Sequence, residues 1–139
     1  MATILVNGRF DLMHDGHVRL LKAARGLAGS GRLIAAVNSD ESARELKAAK
    51  WGNRYPVRNL AQRVISLALY CDEVFGFDTE AQLHEMIEWL SPCIIVKGPD
   101  YAGRENLVTG SDIAPVLILD TPETAEIRAY KRQCYDKHD

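Results

Sequence analysis

The chain has 139 residues, enough for about one domain with a real core, and its 47% apolar and 26% charged residues fit a soluble globular protein. Seventeen Lys and Arg against nineteen Asp and Glu leave a net charge of -2, which argues against a general nucleic-acid binder but leaves room for a small anion held by local cations. The N-terminus turns polar at once and no apolar run approaches the roughly 18 residues of a membrane span, so neither a signal peptide nor a membrane partner is expected, and a cytoplasmic location is. Cys71, Cys93 and Cys134 are odd in number and far apart, which reads as reduced packing cysteines rather than a disulfide framework or zinc site.

In chain order, residues 3–7 form a short apolar run closed by Gly8, which predicts a buried strand. A wide apolar stripe of Val18, Leu20, Leu21, Ala24 and Leu27 predicts a helix over 17–28, stopped by Gly29, Ser30 and Gly31. A second strand is expected at 33–37, and Asn38, Ser39 and Asp40 offer caps for a helix over 41–48. Residues 51–59 carry Gly, Asn, Pro and several basic side chains and read as a loop. A helix over 60–69, a strand at 73–77, a helix over 80–90 and strands at 93–96 and 116–119 follow. Pro122 suits the first turn of a last helix reaching about residue 135.

Strands alternate with helices, and most strands are continuously apolar. The pattern predicts a single α/β domain over 1–139, a Rossmann-like doubly wound parallel sheet of about five strands with helices on both faces. Ligands of such sheets lie beyond the carboxyl ends of the strands, near the point where strand order reverses. The polar residues directly after strands therefore matter most: 8–17, 38–40, 97–101 and 120–124.

The first of these segments runs Asn7-Gly8-Arg9-Phe10-Asp11-Leu12-Met13-His14-Asp15-Gly16-His17. Gly8 lets backbone pass close to a ligand. His14 and His17 are three apart at a helix start, so both rings can lie on one side of an N-terminus whose free N–H groups favour phosphate. Two imidazoles there can donate hydrogen bonds to oxygens on which charge builds during reaction. No G-x-x-x-x-G-K-[ST], G-x-G-x-x-G or H-E-x-x-H motif is present, which excludes the common phosphate-loop, dinucleotide and zinc-protease signatures.

Gly8-Arg9-Phe10-Asp11 followed by His14-Asp15-Gly16-His17 resembles the G-x-F-D-x-x-H-x-G-H signature of the cytidylyltransferase-like nucleotidyltransferases. The similarity continues in residues 37–42, Leu46-Lys47, Pro56-Val57, Gln62-Arg63 and 96–101. Within the superfamily the chain looks most like the adenylyltransferase domain of ADP-heptose synthesis enzymes, and it is also similar to glycerol-3-phosphate cytidylyltransferase.

The resemblance implies transfer of a nucleoside monophosphate from ATP or CTP to a phosphorylated small molecule such as a sugar 1-phosphate, with release of pyrophosphate. It implies that His14, His17 and Lys47 are catalytic, with Lys50 the alternative to Lys47. It also implies nucleotide contacts from Gly8, Arg9, Phe10, Asp11, Gly16, Lys97, Gly98, Asp100, Tyr101 and Thr124. Asp11 would order the turn, and Lys97, Gly98, Asp100 and Tyr101 would line the base and ribose. Arg63 would be a structural or interface arginine. Mg²⁺ on the phosphates and a homodimer are implied too, the dimer drawing also on the apolar helix 60–69. One departure stands in the segment Thr121-Pro122-Glu123-Thr124, where Glu123 puts a carboxylate into a helix turn expected to attract phosphate. Trp51 and Trp89 read as core or lid residues, and His84 and His138 as surface ones.

Overall fold

The computed structural model describes residues 2–51 and 55–119, together with 125, 128 and 129. Its elements are β1 (Thr3–Gly8), α1 (Asp15–Ala28), β2 (Arg32–Asn38), α2 (Asp40–Trp51), α3 (Leu60–Ala68), β3 (Glu73–Phe77), α4 (Glu80–Leu90), β4 (Ile94–Lys97) and β5 (Val116–Ile118). Two single 3₁₀ turns, Pro99–Tyr101 and Glu105–Leu107, fill the connection from β4 to β5. The five strands form one sheet in the order β3-β2-β1-β4-β5. Every pairing is parallel, with Val6 opposite Ala35 on one side and opposite Val96 on the other.

Successive side chains of a strand point to opposite faces, and the core divides accordingly. Ile4, Val6, Leu33, Ala35 and Val96 pack with Leu20, Leu21 and Ala24 of α1 and Leu67 of α3. Leu5, Ile34, Ala36 and Ile95 pack on the other face with Leu83 and Ile87 of α4 and with Val108 and Ala114. Because β1, β2 and β3 step one way and β4 and β5 lie on the other side of β1, strand order reverses between β1 and β4. A crevice therefore opens at the carboxyl ends of those two strands.

The expected architecture is present, with shifted boundaries. Helix α1 begins two residues earlier than its apolar stripe indicates, because His14 caps it. Helix α2 runs on to Trp51, and β4 sits one residue later than expected. The expected helix over 122–135 and the site residue Thr124 fall mostly outside the described residues, as do Glu123, Cys134 and His138; residues 125, 128 and 129 are helical. Two readings need correction. Trp89 is 81% exposed, so it is not a core residue, and Cys93 is exposed whereas Cys71 is buried. Among the described residues no helix is long and apolar enough to cross a membrane.

Candidate functional site

The first strand delivers the chain into a turn that folds over itself. Phe10 has φ 50°, a left-handed conformation that costs a non-glycine residue energy, and its ring is buried. A Cβ on Gly8 would stand 3.3 Å from that ring, so only glycine lets the turn close without displacing it. Asp11 is 3% exposed, and its two carboxylate oxygens accept hydrogen bonds from the backbone of Val57 (2.9 Å) and Arg58 (2.8 Å). It thus orders the loop before α3 as well as its own turn. With both oxygens engaged by backbone, it acts as a strut in the cleft wall.

His14 is the N-cap of α1. Its Nδ1 accepts from the backbone N–H of Gly16 (3.1 Å) and His17 (3.4 Å), which places the ring hydrogen on Nε2 and makes that atom a donor. The His17 ring stacks on it at 3.9 Å between centroids, and Phe10 stands 5.4 Å from His17 on a tilted plane. Both imidazoles therefore share the positive end of the helix dipole, which favours an anion.

Across the crevice, Lys97 closes β4. Its Nζ donates to the Asn7 carbonyl at 3.2 Å and lies 4.6 Å from the centre of the Tyr101 ring, within cation–π range. The Arg104 guanidinium stands 5.6 Å from the same ring. Burial pushes the Lys97 ammonium down to about 8, with the Arg9 charge as the next cause, while Glu80 and Asp100 act in the opposite direction.

Only the protonated form holds an anion, and a bound anion raises the pKa. Anion affinity at Lys97 is therefore full below about pH 8 and falls by up to about tenfold per unit above it. Calorimetric titration with inorganic sulfate between about pH 7.5 and 9.5 reads this, since sulfate stays a dianion over that range. The slope should vanish in Lys97→Met; an unchanged slope in that variant refutes the assignment.

The structure brings Gly8, Arg9, Phe10, Asp11, His14, Gly16, His17, Lys97, Gly98, Asp100 and Tyr101 around this one cleft. Lys47 and Lys50 of α2 are not among the described residues that line it. Arg63 is fully buried directly behind it. The guanidinium donates to the carbonyls of Arg58, Arg9 and Asn38 and pairs with Asp40 at 2.7 Å. It is thus a structural arginine, and its expected reach to a subunit interface is corrected: the donors are turned inward. Ile65 and Leu69 of the α3 region are 69% and 80% exposed.

Sequence reasoning missed two wall residues with polar side chains. Tyr55 is 4% exposed, and its hydroxyl accepts from Arg9 Nε at 3.1 Å across 46 positions of sequence. No local signal marks such a contact. Asn7 lines the cleft with its carboxamide oxygen buried and without a hydrogen-bond partner among the described residues. A polar residue ending a buried strand is a signal that could have found it. Buried acceptors are seldom left unmet, so this oxygen suits a donor brought by a ligand.

Among the described residues no group of three His, Cys, Asp or Glu side chains could hold a metal. With both Asp11 oxygens engaged by backbone, Mg²⁺ would fit this wall as an ion carried in on phosphate oxygens, where Asn7 Oδ1 could meet its hydration shell.

Comparison with known proteins agrees with this geometry. The family model described as Cytidylyltransferase-like matches residues 5–121. A protein named Bifunctional protein HldE from Koribacter versatilis is 45% identical over 101 residues, covering 71% of this chain and 19% of that protein. A Campylobacter jejuni protein of the same name is 38% identical over 123 residues, covering 86% of this chain and 25% of its own length. The chain thus spans a quarter or less of the length of these curated relatives. Among solved structures, the lipopolysaccharide core biosynthesis protein from Thermoplasma volcanium superposes with a TM-score of 0.68 at 20% identity, covering 88% of this chain and 99% of that one, a likeness of fold. The extent of the family match, spanning the turn, the double histidine and the Lys97 segment, is decisive: the chain belongs to the cytidylyltransferase-like family of nucleotidyltransferases.

Proposed function

We propose that the chain transfers the nucleoside monophosphate of a nucleoside triphosphate, ATP by preference, to a sugar 1-phosphate of the heptose type. The observation that carries the reading is the stacked His14–His17 pair at the N-terminus of α1, facing Arg9 and Lys97 across one cleft. An oxygen of the acceptor phosphate attacks the α-phosphorus, a new P–O–P bond forms, and the bond to the β-phosphate breaks to release pyrophosphate. The nucleophile is already an anion at neutral pH, so no residue need take its proton or become covalently attached. Catalysis is then positioning and charge stabilisation. The Nε2 hydrogen of His14 and the positive end of the α1 dipole suit the charge that develops on α-phosphate oxygens. Magnesium bound to the triphosphate would supply charge neutralisation at the leaving group.

The choice of ATP and a heptose-type acceptor draws on the resemblance to ADP-heptose synthesis enzymes and on the relatives named HldE. The test is a pyrophosphate-release screen of ATP and CTP against sugar 1-phosphates and glycerol 3-phosphate, with magnesium and with excess chelator. ATP with a sugar 1-phosphate should give one pyrophosphate per product, and chelator should abolish it. Turnover preferring CTP and glycerol phosphate overturns the substrate assignment. Nucleotide binding without turnover on any acceptor overturns the enzymatic one.

A further inference from the structure

Arg9 and Lys97 approach one cleft from neighbouring strand ends, and among the described residues neither is held in an ion pair, although Glu80 and Asp100 act on Lys97 from a distance. The ion pairs among the described residues join Arg25 to Asp72, Arg32 to Glu73, Arg63 to Asp40, and His84 to Glu88 and Asp112. Neither cleft cation takes part in one. Partly buried like charges are costly unless an anion joins them. The depressed Lys97 ammonium, with Arg9 among its causes, registers that cost.

Tyr55 gives this pair a built geometry. It comes from the loop before α3, and its hydroxyl oxygen accepts from Arg9 Nε. The phenol is pushed above its ordinary value, first by burial, so it stays protonated and neutral. It therefore orients the guanidinium without cancelling its charge. The Arg9 backbone is pinned as well, through its carbonyl to Arg63 Nη1 at 2.8 Å. The two Arg9 Nη groups bond no described residue and remain to form a planar fork.

We propose that Arg9, oriented by Tyr55 and joined by Lys97, forms a second anion subsite that takes the phosphate monoester of the acceptor, separate from the nucleotide phosphates at the start of α1. The inference rests on the nucleotidyl-transfer reading and specifies how that site handles two polyanions at once. The triphosphate arrives partly neutralised by magnesium and meets the helix N-terminus. The acceptor monoester is a dianion without a tightly bound metal, so protein cations must bring it within reach of the α-phosphorus. A guanidinium fork matches two monoester oxygens and fixes the third toward the reaction centre. Tyr55 is then a positioning residue, acting through Arg9.

Steady-state kinetics with both substrates varied, on Arg9→Gln, Tyr55→Phe and the double variant, tests this. Loss of a charge-assisted bidentate contact should raise the acceptor KM at least about tenfold in Arg9→Gln, with the nucleotide KM within about twofold of wild type. Tyr55→Phe should raise the acceptor KM about threefold and leave kcat within about twofold of wild type. In the Arg9→Gln background it should add nothing. A rise in the nucleotide KM instead would assign the pair to the leaving phosphates and overturn the proposal. An equal effect of Tyr55→Phe with and without Arg9 would overturn the positioning role.

Calorimetric binding of inorganic phosphate to protein saturated with magnesium and an α,β-methylene triphosphate separates this inference from the reading beneath it. Phosphate binding that Arg9→Gln abolishes, in a protein that turns over no acceptor, keeps the subsite and removes the transfer reading. Turnover in wild type with an acceptor KM indifferent to Arg9→Gln removes the subsite and keeps the transfer.

Discussion

Substituting His17 by Ala should lower kcat by at least about a hundredfold, the loss expected when one preorganised donor to a developing charge is removed. The His14→Ala variant should lose as much and also unfold more easily, by about 1 kcal/mol, because His14 caps α1 through Nδ1. These two consequences can be separated. In His14→Asn the carboxamide oxygen can accept from the same backbone N–H groups, and Asn is among the preferred caps. That variant should therefore melt near the wild-type temperature while retaining the hundredfold defect, since the donor at the position of Nε2 is gone. Rate constants under saturating substrates, alongside thermal melts, check both statements. Near-wild-type turnover in His17→Ala and His14→Asn together would remove the imidazoles from the chemistry.

The histidine pair was legible in the sequence because its geometry is local. Three residues of separation at a helix start bring two rings together whatever the rest of the chain does. The parallel sheet was legible for a similar reason: runs such as Leu33-Ile-Ala-Ala-Val37 are apolar on both faces, as buried strands are. The start of α1 was misplaced because histidine is an uncommon cap. Its Nδ1 does what a serine or aspartate oxygen usually does. The end of α2 was misplaced because Ala49 and Lys50 continue a helix readily and no stop precedes residue 52.

What could not be read was anything set by long-range packing. Tyr55 reaches Arg9 over 46 positions and Asp11 reaches Arg58 over 47. Spacing holds no record of such pairs. The cleft shows the same limit: among the described residues Tyr55 joins a wall otherwise made by the ends of β1 and β4, the β1–α1 turn, the start of α1 and the turn after β4.

Arg63 shows how far that long-range wiring supports the site, and its removal should produce the largest loss of stability. The side chain is 0% exposed, and each nitrogen of the guanidinium is engaged. It ties together the turn after β1, the end of β2, the start of α2 and the loop before α3. Replacing it with Met keeps an unbranched stem of similar length but leaves three carbonyls, those of Arg9, Asn38 and Arg58, without their donor. An unmet buried acceptor costs about 1–3 kcal/mol, and partial relaxation keeps the three from adding in full. The expected loss in Arg63→Met is about 3 kcal/mol, a fall of roughly 10 °C in Tm for a domain of this size. Asp40→Asn is the informative partner, because the Asp40 side chain is 40% exposed and water screens its half of the pair. That variant should lose less than about 1 kcal/mol. Urea unfolding of both variants decides the matter. Equal losses would mean that the ion pair, rather than the carbonyl cradle, holds the arginine in place. A loss below about 1 kcal/mol in Arg63→Met would mean that the four segments are held by apolar packing alone.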